Sequence, residues 1–334
     1  AGNLSPEKLL RDIMIHEENA NADKQINLRL LIDNRLPASV IGFASLLKSA
    51  LCEIIENAIT DAEVIIGEPI PKLLPKAKNL KWLQITWAGA DRYTGNFLQN
   101  VVLTNTSGVF GRIISEYTMG MILSQYKRLP GYYVNQKKKI WADLGTERSL
   151  LDKRVVILGT GNVGGTIAQK LHAFGTYNIG INRRGNPGQH FDETHTLDTI
   201  EEHLPTADIV IGALPRTPGT IGLFDYRRMH LMKKDALLVN VGRGTMIVTK
   251  DLEKLLAEGH FSGVCLDVMD PEPLPDTSSL WTCDRVLLTP HISGIGFGHD
   301  DATEAAIWDI CAENLRRYAQ GSPLAHVVDV AAGY

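Results

Sequence analysis

Arg243, Glu272 and His291 carry three functional groups that one reaction can use together. Each follows a short apolar run. Arg243 sits in Gly242-Arg243-Gly244 after residues 236–241, Glu272 in Met269-Asp270-Pro271-Glu272-Pro273 after 263–268, and His291 in Thr289-Pro290-His291 after 285–288. A guanidinium is a fixed cation with a planar fork, suited to hold a carboxylate and polarise a neighbouring carbonyl. An imidazole titrates near neutral pH, so it can give a proton in one direction and take it back in the other. A glutamate beside it orients the ring and stabilises the imidazolium. Loops are polar by default, and one such residue alone would signal only that. Three complementary ones between tight Gly and Pro residues signal a catalytic constellation. It fits the reduction of a 2-keto acid, whose carboxylate is held, whose carbonyl is polarised and which receives a proton, beside a bound hydride donor.

The donor needs its own site, and residues 154–165, RVVILGTGNVGG, supply one. Val155, Val156, Ile157 and Leu158 form an apolar run that fits a strand buried on both faces. Gly159-Thr160-Gly161-Asn162-Val163-Gly164 follows, a G-x-G-x-x-G, and residues 166–171 carry helix formers without a breaker. In the order strand, glycine turn, helix, the three glycines have separate tasks. Gly159 makes the tight turn, Gly161 lets a pyrophosphate approach the backbone, and Gly164 lets the helix pack close to the strand. The helix N-terminus, at Asn162 and Val163, offers free N–H groups and a partial positive charge to the phosphates. A glycine-rich turn alone is a weak signal; these flanks make it a dinucleotide site.

Elements must bring these residues to one rim. Apolar runs at 155–158, 178–181, 208–213, 236–241, 263–268 and 285–288 predict six strands. Helices are predicted over 196–203, 226–232 and 250–258, the last stopped by Gly259. Strands alternating with helices predict a doubly wound parallel sheet, whose ligands bind beyond the carboxyl ends of the strands. Upstream, strands are predicted over 26–32, 62–67, 80–87 and 101–104, with a helix over 43–59 and a short helical piece over 73–78, a second α/β unit. Helices are also predicted over 113–126 and 300–320. Residues 132–149 read as charged and irregular, with Lys137-Lys138-Lys139 on a solvated face. Residues 1–24 read as an appendage, either a docking helix starting at Ser5 or a frayed end.

At 334 residues the chain predicts two domains. It is 44% apolar and 22% charged, with a net charge of −4, a balance that gives no reason to expect nucleic acid or an acidic membrane as partner. Cys52, Cys265, Cys283 and Cys311 form no C-x-x-C and read as thiols in a reducing compartment. The sequence has no apolar stretch of about 18 residues, and residues 4–16 lack a signal-peptide core, so a cytoplasmic protein is expected. His190 and His195 are not at helical i,i+4 spacing and no cysteine is near, so no metal site is expected.

The surrounding words resemble the D-isomer-specific 2-hydroxyacid dehydrogenase family. The resemblance rests on Trp87-Ala88-Gly89-Ala90-Asp91, Asn105-Thr106-Ser107-Gly108-Val109, the glycine turn, Ala213-Leu214-Pro215-Arg216-Thr217-Pro218, Val239-Asn240-Val241-Gly242-Arg243-Gly244, Leu266-Asp267-Val268 with Pro271-Glu272-Pro273-Leu274-Pro275, and Leu288-Thr289-Pro290-His291-Ile292-Ser293-Gly294. These run in family order over residues 26–320. The resemblance implies an α/β protein of two doubly wound parallel-sheet domains, with the active site in the cleft between them. One would be a flavodoxin-like substrate domain (1–107 with 300–334) and the other a Rossmann domain (108–299). It also implies a homodimer, a D-2-hydroxy acid product, and substrate contacts from Trp87, Ala88, Gly89 and Ala90 as well as Arg243 and His291. Backbone N–H groups of 88–90 would meet the substrate carboxylate, while Trp87 is either an apolar substrate wall or core. Cofactor contacts would extend to Leu214, Pro215, Thr220, Val241, Gly242 and Gly294. Asp267 would hold the nicotinamide amide; without the family it reads as a buried strand-end aspartate capping a turn.

One departure bears on the cofactor. Many NAD-dependent members carry Asp at the end of the second strand, where it grips the ribose hydroxyls. Here the position holds Asn182, followed by Arg183 and Arg184. Removing the carboxylate removes its repulsion of a 2′-phosphate, and two guanidinium groups stand ready to meet one. The alternative is that both are solvated loop cations. The expected cofactor is therefore NADP(H) in preference to NAD(H), with NAD(H) possible. A reading from another class is a dinucleotide-sensing, corepressor-like binding protein with this fold and little turnover.

Overall fold

The computed structural model describes residues 59–94 and 100–333. The strand predicted over 26–32, the appendage at 1–24 and nearly all of the helix predicted over 43–59 lie outside the described residues; Ile59 to Asp61 are helical. The chain divides into two compact units, 1–85 with 95–103, and 86–94 with 104–334.

In the first unit, β1 (Val64–Ile66), β2 (Trp82–Gln84) and β3 (Val102–Thr104) form a three-stranded sheet in the order β1-β2-β3, with β1 and β2 parallel. A 3-10 turn over Pro71–Lys76 takes the place of the short helical piece, with Pro75 inside it. All three β2 residues are buried, Trp82 and Leu83 at 0% exposure, as expected of a strand covered on both faces.

The second unit is built on a seven-stranded sheet. Its strands are β4 (Arg154–Leu158), β5 (Tyr177–Asn182), β6 (Glu193–Thr196), β7 (Ile209–Gly212), β8 (Leu237–Asn240), β9 (Gly263–Leu266) and β10 (Val286–Leu288). The order is β10-β9-β8-β7-β4-β5-β6, and every neighbouring pair is parallel. Six of the seven coincide with the predicted runs. Alternate residues of β4 enter different cores: Val156 and Leu158 pack on one face, Val155 and Ile157 on the other. A continuous apolar run is what two covered faces require. The strand order reverses between β4 and β7, the switch point at which ligands bind in open parallel sheets.

The helices are α1 (Gly111–Tyr126), α2 (Leu129–Lys137), α3 (Asn162–Ala173), α4 (Ile200–His203), α5 (Tyr226–Leu231), α6 (Thr249–Ala257) and α7 (Asp301–Ala319). α6 stops at Gly259, whose φ is +77°, as predicted. α7 is capped by Asp300, whose carboxylate accepts from Thr303 N–H at 2.9 Å. Beyond α7, within the second unit, Thr104 and Val327 form an antiparallel bridge and Asn105 N–H donates to His326 O at 3.1 Å.

Two elements differ from expectation. The segment expected to be irregular from residue 132 contains α2, which buries none of its residues and so has no apolar stripe to reveal it. Lys137 ends that helix; Lys138 and Lys139 lie beyond it, exposed. β6 was not expected because Glu193-Thr194-His195-Thr196 has no apolar residue; it is a half-buried edge strand, opposite the equally half-buried β10.

Candidate active site

The glycine turn has the contacts its spacing predicts. Gly159 has φ +100°, and a Cβ there would lie 2.7 Å from Ala213 O. A Cβ on Gly164 would sit 1.8 Å from Gly159 O, so α3 packs against the turn itself. A Cβ on Gly161 would meet nothing within 4 Å, which leaves the N-terminus of α3 open to an anion. Asn162 also holds the start of α1, its Oδ1 accepting from Gly111 N–H at 2.8 Å. A dinucleotide pyrophosphate fits this arrangement.

The loop after β5 is organised by Asn182. Its Nδ2 donates to Thr160 Oγ1 and to Asn186 O, both at 2.9 Å, and its Oδ1 accepts from Arg184 N–H at 2.9 Å. Asparagine thus joins this loop to the glycine turn. A cavity of about 280 Å³ is lined by Thr160, Asn182, Arg183, Arg184, Asn186, Pro187 and Gly188. That lining holds two exposed guanidinium groups and no carboxylate, the composition that suits a phosphate monoester.

Val241 and Gly242 lie beside the loop after β7. A Cβ on Gly242 would lie 2.7 Å from Leu214 O, so the two loops touch backbone to backbone. Thr220 Oγ1 donates to Pro215 O at 2.7 Å and accepts from Thr217 N–H at 2.8 Å. Thr220 and Val241 are buried, so their side chains brace this rim. Gly294 lies against α1, with room for a Cβ only at 3.3 Å from Ile114 Cδ1.

His291 and Glu272 meet at the ends of β10 and β9. His291 Nδ1 is 3.0 Å from Glu272 Oε2, while Glu272 Oε1 accepts from Met269 N–H at 2.9 Å. The carboxylate is fixed at one oxygen and orients the imidazole with the other, which leaves His291 Nε2 for a reacting group. His291 has φ +54°, a left-handed conformation that a non-glycine residue holds only when its surroundings impose it. Asp267 imposes it. Its Oδ1 accepts from Thr289 Oγ1 (2.7 Å) and Ile292 N–H (2.9 Å), its Oδ2 from Ser293 N–H (3.0 Å) and Ser293 Oγ (2.6 Å), and its carbonyl from His291 N–H (2.8 Å). A carboxylate has about four acceptor sites. All four of Asp267's are taken inside the loop that carries His291, and the residue is fully buried.

Arg243 follows β8 and lies on the 87–91 loop. Its Nε is 3.2 Å from Asp91 Oδ1 and its Nη1 donates to Gly242 O at 2.9 Å. A Cβ on Gly89 would lie 1.6 Å from Arg243 Nη2, so only glycine allows the guanidinium its place. The loop is held by its carbonyls: Asn105 Nδ2 donates to Ala88 O (2.9 Å) and Thr106 N–H to Trp87 O (3.3 Å). Ala90 is buried. Trp87 stacks on Phe110 with centroids 6.2 Å apart and meets Phe297 edge-on at 6.4 Å, so its ring is part of an aromatic cluster.

Residues 119–293 match the family described as D-isomer specific 2-hydroxyacid dehydrogenase, NAD binding domain. A D-isomer specific 2-hydroxyacid dehydrogenase family protein from Aeromonas salmonicida superposes with a TM-score of 0.76 at 33% identity, covering 86% of this chain and 95% of that one. The chain belongs to the D-isomer specific 2-hydroxyacid dehydrogenase family. An NADPH-dependent glyoxylate/hydroxypyruvate reductase from Sinorhizobium meliloti, solved with NADP and sulfate, superposes with a TM-score of 0.75 at 28% identity, covering 84% of this chain and 88% of that one. Glyoxylate/hydroxypyruvate reductase A of Serratia proteamaculans is 29% identical over 282 residues, 81% of this chain and 87% of its own length.

Membership makes the chain an oxidoreductase with a nucleotide-binding Rossmann unit. Within this dehydrogenase the sequence reasoning missed Asp91, the ion-pair partner of Arg243 152 residues away. Its place directly after Trp87-Ala88-Gly89-Ala90 was the available signal. It also missed Thr289 and Ser293 as partners of Asp267, and Asn105 as the anchor of the 87–91 loop. Cys265, in β9, has its thiol pushed up by burial and is no nucleophile. Among the described residues no helix is long and apolar enough to cross a membrane.

Proposed function

We propose that this dehydrogenase reduces small 2-keto acids, glyoxylate and hydroxypyruvate first among them, to D-2-hydroxy acids with NADPH. The observation that carries the reading is the oriented His291–Glu272 pair, 3.0 Å between Nδ1 and Oε2, on the same rim as Arg243 and the glycine turn. The names of the Serratia and Sinorhizobium relatives support the substrate class, and the NADP bound in the latter supports the cofactor.

The dinucleotide would rest its pyrophosphate on Gly161, Asn162 and Val163 and its 2′-phosphate on Arg183 and Arg184; when bound it supplies the hydride. Arg243 receives the substrate carboxylate and carbonyl oxygen, with the N–H groups of Ala88, Gly89 and Ala90 completing the anion site. Trp87 closes it on one side. As the carbonyl carbon gains hydride, its oxygen takes the proton from His291 Nε2, and the half-exposed ring is reprotonated from water. Glu272 keeps the ring in register through its bond to Nδ1. Asp267 is a positioning residue that holds the His291 loop; Leu214, Pro215, Thr220, Val241, Gly242 and Gly294 shape the rim.

A second copy of the chain is the partner that suits the apolar surface at and beyond α2. Leu129 is 54%, Tyr133 58%, Val134 47% and Trp141 103% exposed, and burying such side chains against a copy would remove them from water. The free thiols of Cys265, Cys283 and Cys311 fit a reducing compartment such as the cytoplasm.

The test is initial rates of NADPH and NADH oxidation with glyoxylate, hydroxypyruvate, pyruvate and phenylpyruvate, for the wild type and Arg183→Ala. The expected result is turnover with NADPH well above NADH, and an NADPH affinity that falls about tenfold in the variant while that for NADH holds, since a hydrogen bond to a charged group contributes about 1.5–3 kcal/mol. Equal losses for both cofactors would remove the phosphate-site argument. Tight dinucleotide binding without turnover would leave a sensor.

A further inference from the structure

We propose that Glu193, His195 and His203 form a binding site for a divalent transition-metal ion, of the zinc, cobalt or nickel type, that ties the edge strand β6 to α4. The three residues offer one carboxylate oxygen and two imidazole nitrogens, and these donor atoms all lie within 4.8 Å of one another. Among the described residues this is the group so placed.

The placement follows from two periodicities. Glu193 and His195 are two apart on β6 and therefore point to the same face. His203 is the last residue of α4, and its ring reaches that face, with its centroid 4.2 Å from that of His195. Linear spacing hides the trio, because the third member comes from a different element.

The chemistry of the donors selects the metal. Two imidazoles and one carboxylate suit zinc and its neighbours, whereas magnesium and calcium take oxygen ligands. Bonds of about 2.0–2.2 Å from a tetrahedral ion place donor atoms roughly 3.3–3.6 Å apart. His195 Nε2 and Glu193 Oε2 are already at 2.9 Å, so modest side-chain rotations reach that separation. Glu193 is braced from behind by a hydrogen bond from Tyr177 OH to its other oxygen, the outer-shell support that orients a ligating carboxylate. His203 Nε2 is buried and has no hydrogen-bond partner, an orphaned polar atom in a protein whose buried polar groups are otherwise mostly paired. Half-burial of all three leaves a side open for water as a fourth ligand.

Nearby charges set the strength. Arg154 acts on both Glu193 and His203, and its guanidinium lies 4.8 Å from the centre of the Tyr177 ring. This cation opposes a metal, while Glu202 favours one. The result is a micromolar site rather than a structural zinc centre. The ion would brace the outer strand next to β5, in register with it from Ile179↔Glu193 to Asn182↔Thr196.

The experiment is equilibrium dialysis of tag-free protein against Zn²⁺, with Co²⁺ visible absorption as a second readout. It compares the wild type, His203→Ala, His195→Ala, Glu193→Gln and the control His190→Ala, whose ring lies 6.4 Å from that of His172. One equivalent of Zn²⁺ is expected, with a Kd of about 10 µM, together with a metal-dependent rise in Tm. Each of the three ligand variants weakens binding about tenfold or more and abolishes that rise; His190→Ala changes neither. His195→Ala and Glu193→Gln alter half-exposed side chains, so they keep the test valid even if His203→Ala impairs folding. No Zn²⁺ bound at 100 µM by the wild type, or binding unchanged in His195→Ala and Glu193→Gln, overturns the proposal.

Discussion

Gly89→Ala isolates the contribution of Arg243 without altering any functional group. The added Cβ would lie 1.6 Å from Nη2 and 2.8 Å from Cζ of Arg243, where ordinary contact begins at 3.4 Å. The guanidinium must retreat by about 2 Å, against its ion pair with Asp91 and its bond to Gly242 O. Hydrogen bonds survive a change of only about 0.5 Å, so the retreat would end both bonds proposed for the fork, to the substrate carboxylate and carbonyl oxygen. At about 1.5–3 kcal/mol each, their loss corresponds to roughly 10² to 10⁴ in kcat/KM. The arginine stem is flexible and recovers part of this, so the lower figure is expected. The assay pairs kcat/KM for glyoxylate or hydroxypyruvate with the Kd for NADPH, which should not change. Gly120→Ala, on the exposed side of α1 with nothing within 4 Å of its Cβ, is the control; it should leave activity intact and add about 0.5–1 kcal/mol of stability. A kcat/KM for Gly89→Ala within threefold of wild type would refute the reasoning, as would a parallel loss of NADPH binding.

Asp267→Asn turns two of four acceptor sites into donors facing Ser293 or Ile292 and Thr289, so kcat should fall at least tenfold and stability by about 2–4 kcal/mol; an unchanged kcat would contradict its hold on the His291 loop. Burial, and then the charge of His230, hold His260 below its ordinary value of 6.5. The unfolded chain therefore binds the proton first as pH falls below about 6.5, and stability is lost from there down through the lowered folded value. The urea midpoint should drop between pH 7 and 5 in the wild type and drop less in His260→Gln; parallel curves would show that His260 is not the group responsible.

The parts of the fold legible in the sequence were those whose physics is local. Strands β4, β7, β8 and β9 are apolar runs buried almost throughout, and each loop at a carboxyl end could then be searched for chemistry. β6 escaped because an edge strand with half-buried polar residues has no such run. α2 escaped because a helix that buries nothing has no stripe. Arg243, Glu272 and His291 were singled out by residue type and strand-end position, but the pairing of Arg243 with Asp91 joins residues 152 apart and leaves no periodic trace. The resemblance gave Asp267 the nicotinamide amide to hold; its four hydrogen bonds show its acceptor capacity taken within the loop that carries His291.

The strand order also bears on how such a protein can change over time. β4 and β5 carry the glycine turn and the Asn182–Arg184 loop, β8, β9 and β10 carry Arg243, Glu272 and His291, and β7 stands between the two groups. On the second side, side chains are shut out: a Cβ on Gly242 would lie 2.7 Å from Leu214 O, and one on Gly244 1.9 Å from Met269 O. Arg183 and Arg184, by contrast, are exposed and can be exchanged without moving a neighbouring backbone. A lineage built on this sheet is free to drift in its choice of reductant while the backbone around Arg243 stays fixed, and a mutant library aimed at residues 183 and 184 should sample cofactor preference with little loss of working enzyme.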